Sequence, residues 1–327
     1  MKKIISVAAA ILLSASVFAK AKTVTVETLN GKNEKTTVSV PYNPKRIAIL
    51  DLAALDILDN LGLASRIVGS ATTSIDYLSE YSPDKNKRIK NIGNIKTPDM
   101  EAVFECEPDI IFIGGRLATN MNIGLVESVK KNASIIASIF GKEKEVAAKF
   151  AGFESRISAL KAQANGKTAV LGMVTSGSCN LLGNTGRLNL ITNEIGFTNI
   201  GANLSKGTDP ASRGRRGGKG GSSGQLGKPQ AMQSPQEVAS QAHGEESSFE
   251  LIAKLNPAYI FVLDRDSAIG TNGAKLARDI MDNEIVKMTD AAKNGHLVIL
   301  SYPAIWYTAE GGITALDYML RDLEASL

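Results

Sequence analysis

The apolar residues of this chain alternate between short continuous runs and longer periodic stretches. Residues 46–50 carry the run Ile47-Ala48-Ile49-Leu50, the pattern of a strand buried on both faces. Leu52, Leu55, Leu58 and Leu61 then recur along one side of a helix, and Ile67-Val68-Gly69 makes a second short run. Strand, helix and strand in this order predict a parallel sheet flanked by helices.

The same device then occurs twice. In 101–116 and again in 250–265 a periodic apolar stretch stops at a proline and gives way to a run rich in Ile, Phe and Val. Glu101, Pro108, Phe112 and Arg116 match Glu250, Pro257, Phe261 and Arg265 without a gap. Proline cannot continue a helix, so each copy predicts a helix feeding a buried strand with an arginine at the strand's carboxyl end. Open α/β sheets bind ligands in the crevice beyond those ends. The duplication therefore predicts two similar lobes aiming arginines at one cleft. Chance likeness between two helix–strand units is the competing account, and several identities in one register weigh against it.

Around the repeats, Thr97 is the expected cap and Pro98 the first-turn residue of the helix carrying Glu101, and a serine cap precedes the helix carrying Glu250. A further helix and strand are expected near 124–139. Over 142–164, Val146, Phe150, Phe153, Ile157 and Leu160 recur at three- and four-residue intervals, which predicts one long amphipathic helix between the lobes. A helical connector is stiffer than a loop and limits opening and closing. The second lobe is expected to begin with a strand at 168–174 and to pass through turns to Gly186-Arg187 and a helix over 188–195. It closes with a strand at 297–300, an aromatic cluster ending in Trp306-Tyr307, and a C-terminal helix.

A chain of 327 residues suits two lobes of ordinary size. Lys2 and Lys3 precede an apolar run over 4–18 that closes in small residues, the pattern of a cleaved secretory signal, so an exported, periplasmic protein is expected. The predicted boundaries are a signal at 1–19, an N-terminal lobe at 20–140, a connecting helix at 141–165 and a C-terminal lobe at 166–327. Within the last, 211–242 is so rich in glycine and poor in apolar residues that burial cannot offset the ordering entropy, and a disordered insertion is predicted.

Charge points the same way. The formal +4 includes the two signal lysines and five basic insertion residues, Arg213, Arg215, Arg216, Lys219 and Lys228, set against Glu237. Without those seven cations and one anion the chain has 30 basic and 32 acidic side chains, which argues against a nucleic-acid-binding face. Cys106 and Cys179 fall in different lobes and are expected as free buried thiols, although an oxidising compartment would permit one disulfide. His243 and His296 are the only histidines, so a histidine-rich metal cluster is excluded. No phosphate loop occurs, no glycine fingerprint lies between the first strand and helix, and no acid–base pair of carboxylates is evident.

Two constellations could bind a ligand. Arg116, Arg187 and Arg265 fall at strand ends or in the turns beyond them, and three planar donor forks converging on one crevice suit a multiply negative ligand. Each alone serves equally well in a structural salt bridge; their shared topological position is what points to binding. His243 and Tyr307 form the second group: phenolate oxygen is a hard donor suited to ferric iron and imidazole can take another site. Otherwise they are a solvated loop histidine and a packing tyrosine. Trp306 is expected to wall the cleft and pack against the ligand.

These residues bring a family into view. Asn43-Pro44-Lys45-Arg46-Ile47, Leu55-Asp56, Leu61-Gly62, both Glu-to-Pro repeats, His243-Gly244, Asp264-Arg265 and Trp306-Tyr307 together resemble the periplasmic substrate-binding proteins of iron-siderophore ABC transporters, in particular the catecholate type that handles ferric enterobactin and similar compounds. The resemblance covers almost the whole chain after the signal. It implies an α/β fold of two Rossmann-like lobes with parallel sheets joined by one long helix, the class III substrate-binding arrangement, around a shallow cleft. It further implies that Arg116, Arg187 and Arg265 contact an anionic iron–catecholate complex and that His243 and Tyr307 ligate iron when the siderophore leaves sites open. Glu101 and Glu250 match the glutamates that dock on a two-subunit membrane permease, and as helix-start carboxylates they also favour the macrodipole. The insertion at 211–242 departs from the family, whose members have a short loop there, and it directly precedes His243.

The expected protein is thus a monomeric periplasmic receptor, not an enzyme, with no intrinsic cofactor: ferric iron arrives within the siderophore and leaves toward an inner-membrane ABC importer. Within the same class haem or cobalamin could replace the siderophore. An exported metal-dependent enzyme using Tyr307 and His243, and a surface-interaction protein using the basic insertion, are the rivals from other classes.

Overall fold

In the computed structural model the described residues are 22–29, 34–73, 75–94, 97–113, 125–204 and 247–327. The expected signal at 1–19, the insertion at 211–242, Arg116 and His243 lie outside them. The chain enters through an antiparallel ribbon that sequence reading did not anticipate, β1 (Thr23–Leu29) paired with β2 (Lys35–Pro41). Lys131 pairs with Glu27 at 2.8 Å across its contact with a later helix.

The run at 46–50 forms β3 (Ile47–Ile49), fully buried at the heart of the first sheet. Asp51 then accepts hydrogen bonds from Ala53 N and Ala54 N and caps α1 (Leu52–Asn60), whose buried face includes Leu55, Ile57 and Leu58. The chain returns as β4 (Ile67–Ser70), β5 (Lys90–Asn91), α2 (Met100–Glu105) and β6 (Ile110–Phe112). The sheet order is β5-β4-β3-β6, and every pairing is parallel. Gly69 lets α2 settle close: a Cβ there would lie 2.9 Å from both Cys106 Sγ and Ile92 Cγ2.

Two local expectations are corrected here. The cap of α2 is Asp99, whose Oδ1 accepts from Ala102 N at 3.0 Å, rather than Thr97. The residues near 124–139 are all one helix, α3 (Leu125–Phe140), with no strand. Its buried Leu125, Val129, Ala133, Ile136, Ala137 and Phe140 keep helical spacing, and that packing outweighs the strand preference of the Ile135-Ile136 pair.

The amphipathic stretch forms α4 (Glu143–Ala164), which buries Val146, Phe150, Phe153 and Leu160 and leads from the first sheet to the second. Phe150 and Phe153 meet edge to face with centroids 5.6 Å apart. The second sheet contains β7 (Thr168–Thr175), β8 (Ser178–Leu181), β9 (Thr198–Asn199), β10 (Tyr259–Asp264) and β11 (Leu297–Ile299). β7, β10, β11 and β9 run parallel, and β8 folds back antiparallel on β7. The turn between β7 and β8 places Ser176 (φ 51°) and Gly177 (φ 77°) in the left-handed region, the geometry of a two-residue hairpin. The expected helix at 188–195 shrinks to one π-helical turn, Leu190–Glu194.

The repeat is visible in backbone geometry. Helix α5 (Ser248–Leu255) precedes β10 as α2 precedes β6. In each copy the residue before the proline, Glu107 (φ 46°) or Asn256 (φ 43°), adopts the left-handed conformation that ends the helix. Ser247 caps α5 in a reciprocal box with Glu250.

One hydrophobic core runs through both halves and includes Ile47, Leu55, Phe150, Phe261, Trp306 and Leu316. The C-terminal helix (Ile313–Glu324) lies against α1 and α4, and Arg156 of α4 reaches Asp317 at 2.5 Å and Glu324 at 2.6 Å. At its start the helix is capped from α1. Asp56 of α1, 0 % exposed, accepts from Thr314 N and Ala315 N at 2.9 Å each, Tyr77 Oη at 2.6 Å and Asn60 Nδ2 at 2.7 Å. Burial outweighs these bonds and pushes its carboxyl above the usual range.

Candidate functional site

The candidate site grows from the end of β10. Asp264, the last strand residue, accepts from Ser267 N and Ala277 N, so the chain turns sharply into α6 (Arg265–Ala268) and Arg265 emerges at the carboxyl end of the sheet. Behind it the buried carboxylate of Asp266 accepts from Ser176 N at 2.6 Å and pairs with Arg265 Nη1 at 3.3 Å.

Tyr307 comes from the segment after β11. Asp322 of the C-terminal helix gathers that segment by accepting from Ser301 N (2.9 Å), Tyr302 N (3.3 Å) and Trp306 Nε1 (2.9 Å). The chain then makes a π-helical turn, Ile305–Ala309, that contacts both α1 and α6. Gly311 passes so close to Ala53, at the start of α1, that a Cβ would meet it at 2.9 Å. Tyr307 therefore sits on the strap where the carboxyl ends of the two sheets approach each other.

Two of the predicted residues meet Tyr307 there. The Arg187 guanidinium lies 3.9 Å from the centroid of the Tyr307 ring, and its Nε donates to the Tyr307 carbonyl at 3.3 Å. Arg265 Nε donates to Tyr307 Oη at 3.0 Å. The phenol is thus flanked by two cations while remaining 9 % exposed. The Tyr307 oxygen and, beyond it, Asp266 raise the pKa of the Arg265 guanidinium. Such a site can hold an oxygen-rich anion and offer a hard oxygen donor to a metal that the anion carries.

Trp306 is placed elsewhere. It is 0 % exposed, with its indole N–H bonded to Asp322, so it belongs to the core and does not wall a cleft. Arg116 and His243 lie outside the described residues. Glu101 and Glu250 are exposed on α2 and α5, and Glu250 Oε2 accepts from Ser247 N at 2.8 Å. Sequence reasoning missed Asp266; its adjacency to Arg265 in Asp264-Arg265-Asp266 was the available signal.

Other chemistry is sparse. Cys106 and Cys179 are buried free thiols, and burial holds Cys179 at a pKa of about 12. Among the described residues no group of three or more His, Cys, Asp or Glu side chains could hold a metal. A hollow of ≈ 410 Å³ lined by Lys167, Thr168, Asn256, Tyr259, Asp290 and His296 opens at the amino-terminal ends of β7 and β10, away from Tyr307.

Known proteins share this construction. Residues 47–123 match the periplasmic binding protein family. The petrobactin-binding protein YclQ of Bacillus subtilis is 29 % identical over 318 residues, covering 92 % of this chain and 88 % of that one. The periplasmic catecholate-siderophore binding protein VctP of Vibrio cholerae superimposes with a TM-score of 0.70 at 25 % identity, covering 93 % and 100 %. A TroA-like periplasmic binding protein from Xylanimonas cellulosilytica gives 0.69 at 27 %, covering 94 % and 99 %. Fold and relatives agree on the architecture: parallel-sheet α/β units joined by one long helix, in which the chain resembles periplasmic binding proteins rather than enzymes. Among its homologues are the siderophore-binding proteins of ABC importers.

Proposed function

We propose that this protein captures a ferric catecholate siderophore in the periplasm and delivers it to an inner-membrane ABC permease. The convergence of Arg187 and Arg265 on Tyr307 carries the reading. A ferric catecholate is a polyanion with oxygens at its surface, which guanidinium forks match in charge and shape. The names of two relatives, for petrobactin and for ferric anguibactin, support a siderophore over other anions.

In this reading Arg116 adds a third cation, and His243 joins Tyr307 as an iron ligand when the siderophore supplies fewer than six donors. Iron is cargo, and the protein holds no cofactor of its own. Glu101 and Glu250, one per repeat, dock the monomeric receptor on the paired permease subunits after export through the cleaved signal at 1–19.

Trp306 is the only tryptophan and neighbours Tyr307, so its fluorescence reports on the site. Titration with ferric catecholates, ferric hydroxamates and haem should give saturable quenching at lowest concentration with the catecholates. Arg187→Ala with Arg265→Ala should weaken that binding by about a hundredfold, since each charge-assisted contact contributes roughly tenfold or more. Tighter binding of haem or hydroxamates, or unchanged affinity in the double variant, rules the reading out.

A further inference from the structure

The hollow of ≈ 410 Å³ at the amino-terminal ends of β7 and β10 plays no part in the site around Tyr307. Three aromatic rings lead to it in one column. Phe261 and Tyr259 of β10 stack with centroids 5.8 Å apart and planes 11° from parallel, and His296 stacks on Tyr259 at 4.1 Å and 5°. His296, which lines the hollow, is the last plate. Its N–H donates to Ala291 O at 2.7 Å, its C=O accepts from Ile260 N at 3.0 Å, and its Nδ1 lies 3.1 Å from Ala258 O. A carbonyl only accepts, so Nδ1 carries the proton and the ring is fixed in position and plane. The ring is half-buried, and no further described ring stacks on it.

The walls add one cation and one anion. Lys167 Nζ stands 5.3 Å from the Tyr259 centroid and has no carboxylate partner among the described residues. Asp290 Oδ2 accepts from Asn256 Nδ2 at 2.8 Å, and Asp290 N donates to Asn256 Oδ1 at 2.8 Å. This reciprocal pair anchors the carboxylate on the turn after α5 and leaves its Oδ1 without a donor among the described residues. We infer that the hollow is a second binding site, for a small aromatic molecule bearing both an ammonium and a carboxylate, the class of the aromatic amino acids. The ligand ring continues the column on His296, its carboxylate pairs with Lys167, and its ammonium pairs with Asp290. A wall with one charge of each sign favours a ligand whose own charges cancel: a simple aromatic acid leaves Asp290 unmatched, and a simple aromatic amine leaves Lys167 unmatched. The hollow and Arg265 lie at opposite ends of β10, so this site stands apart from the siderophore reading.

The chain has two histidines, and in His243→Gln the imidazole protons of His296 are the only ones left in the proton NMR spectrum. At fixed pH, L-phenylalanine should shift them saturably at concentrations on the order of a millimolar. Hydrocinnamate, phenethylamine and L-leucine lack the ammonium, the carboxylate and the ring in turn, and each should bind about tenfold more weakly. Lys167→Met should weaken L-phenylalanine by about tenfold and leave phenethylamine unchanged; Asp290→Asn should do so with hydrocinnamate as the unchanged ligand. The ligand series alone decides the matter if either of these variants does not fold. No saturable shift, or L-leucine binding as well as L-phenylalanine, overturns the site. Equal binding of hydrocinnamate, phenethylamine and L-phenylalanine overturns the pairing with Lys167 and Asp290, and with it the assignment to an amino acid.

Discussion

The most exposing perturbation is Asp56→Ala, because one side chain of α1 caps the C-terminal helix 258 residues away. Its carboxylate takes four donors: Thr314 N, Ala315 N, Tyr77 Oη and Asn60 Nδ2. Bonds to a charged acceptor contribute ~1.5–3 kcal/mol each, while loss of a helix cap alone costs ~0.5–2 kcal/mol. Removing the carboxylate also removes the cost of burying it, so the four losses do not add in full. The expected destabilisation is about 3–5 kcal/mol, a large part of the stability of an ordinary domain. Urea unfolding followed by circular dichroism measures it directly. Gly312→Ala supplies the cross-check, since its Cβ would collide with the Asp56 carboxylate. Alone it should cost ~1–3 kcal/mol; combined with Asp56→Ala, whose truncation opens the space, it should cost clearly less. A loss below about 1 kcal/mol for Asp56→Ala, or strict additivity with Gly312→Ala, refutes the cap.

Two further outcomes follow from local geometry. Gly69→Ala should destabilise the first lobe by ~1–3 kcal/mol through contact with Cys106 Sγ and Ile92 Cγ2, and a companion Cys106→Ala should recover part of that loss in a thermal melt. Asp109 accepts from Lys45 N (2.7 Å) and Arg46 N (2.9 Å), which holds its carboxyl below the ordinary value of 3.8. A depressed carboxyl contributes stability that is present above the unfolded value and lost as pH falls through the folded one. The Tm gap between wild type and Asp109→Asn should therefore be open at neutral pH and close on acidification below 3.8; a gap that widens there contradicts the assignment.

What the sequence disclosed follows from how local each signal is. Strands β3, β6 and β10 are continuous apolar runs, α4 is a regular apolar stripe, and the Ser247 cap lies three residues from its partner, so all were legible. The β1–β2 ribbon was passed over: Val24 and Val26, and Val38 and Val40, do alternate with polar residues, but most β2 positions face solvent and the signal is only two valines per strand. The β7–β8 hairpin hid in the polar pair Ser176-Gly177. Trp306 was misplaced because an aromatic just past a strand looks like a cleft wall; the deciding partner, Asp322, lies in the next helix. Asp56 is the extreme case, with its capped backbone 258 residues away. For the site, sequence pointed to Arg187, Arg265 and Tyr307 by topological position. Their contacts with one another, and the part played by Asp266, depend on tertiary geometry that no spacing encodes.

Two buried carboxylates, Asp322 and Asp56, act on the same strap. Asp322 fixes the chain before Tyr307 by holding Ser301 N, Tyr302 N and the Trp306 indole; Asp56 fixes it after, by holding Thr314 N and Ala315 N. Between them the π-turn has no freedom to carry Tyr307 away from Arg187 and Arg265. Asp322 lies in the C-terminal helix and Asp56 in α1, against which that helix packs, so the strap is tied at both ends to one pair of packed helices. A site assembled in this way is in place before a ligand arrives, and ordering its side chains costs little of the binding free energy.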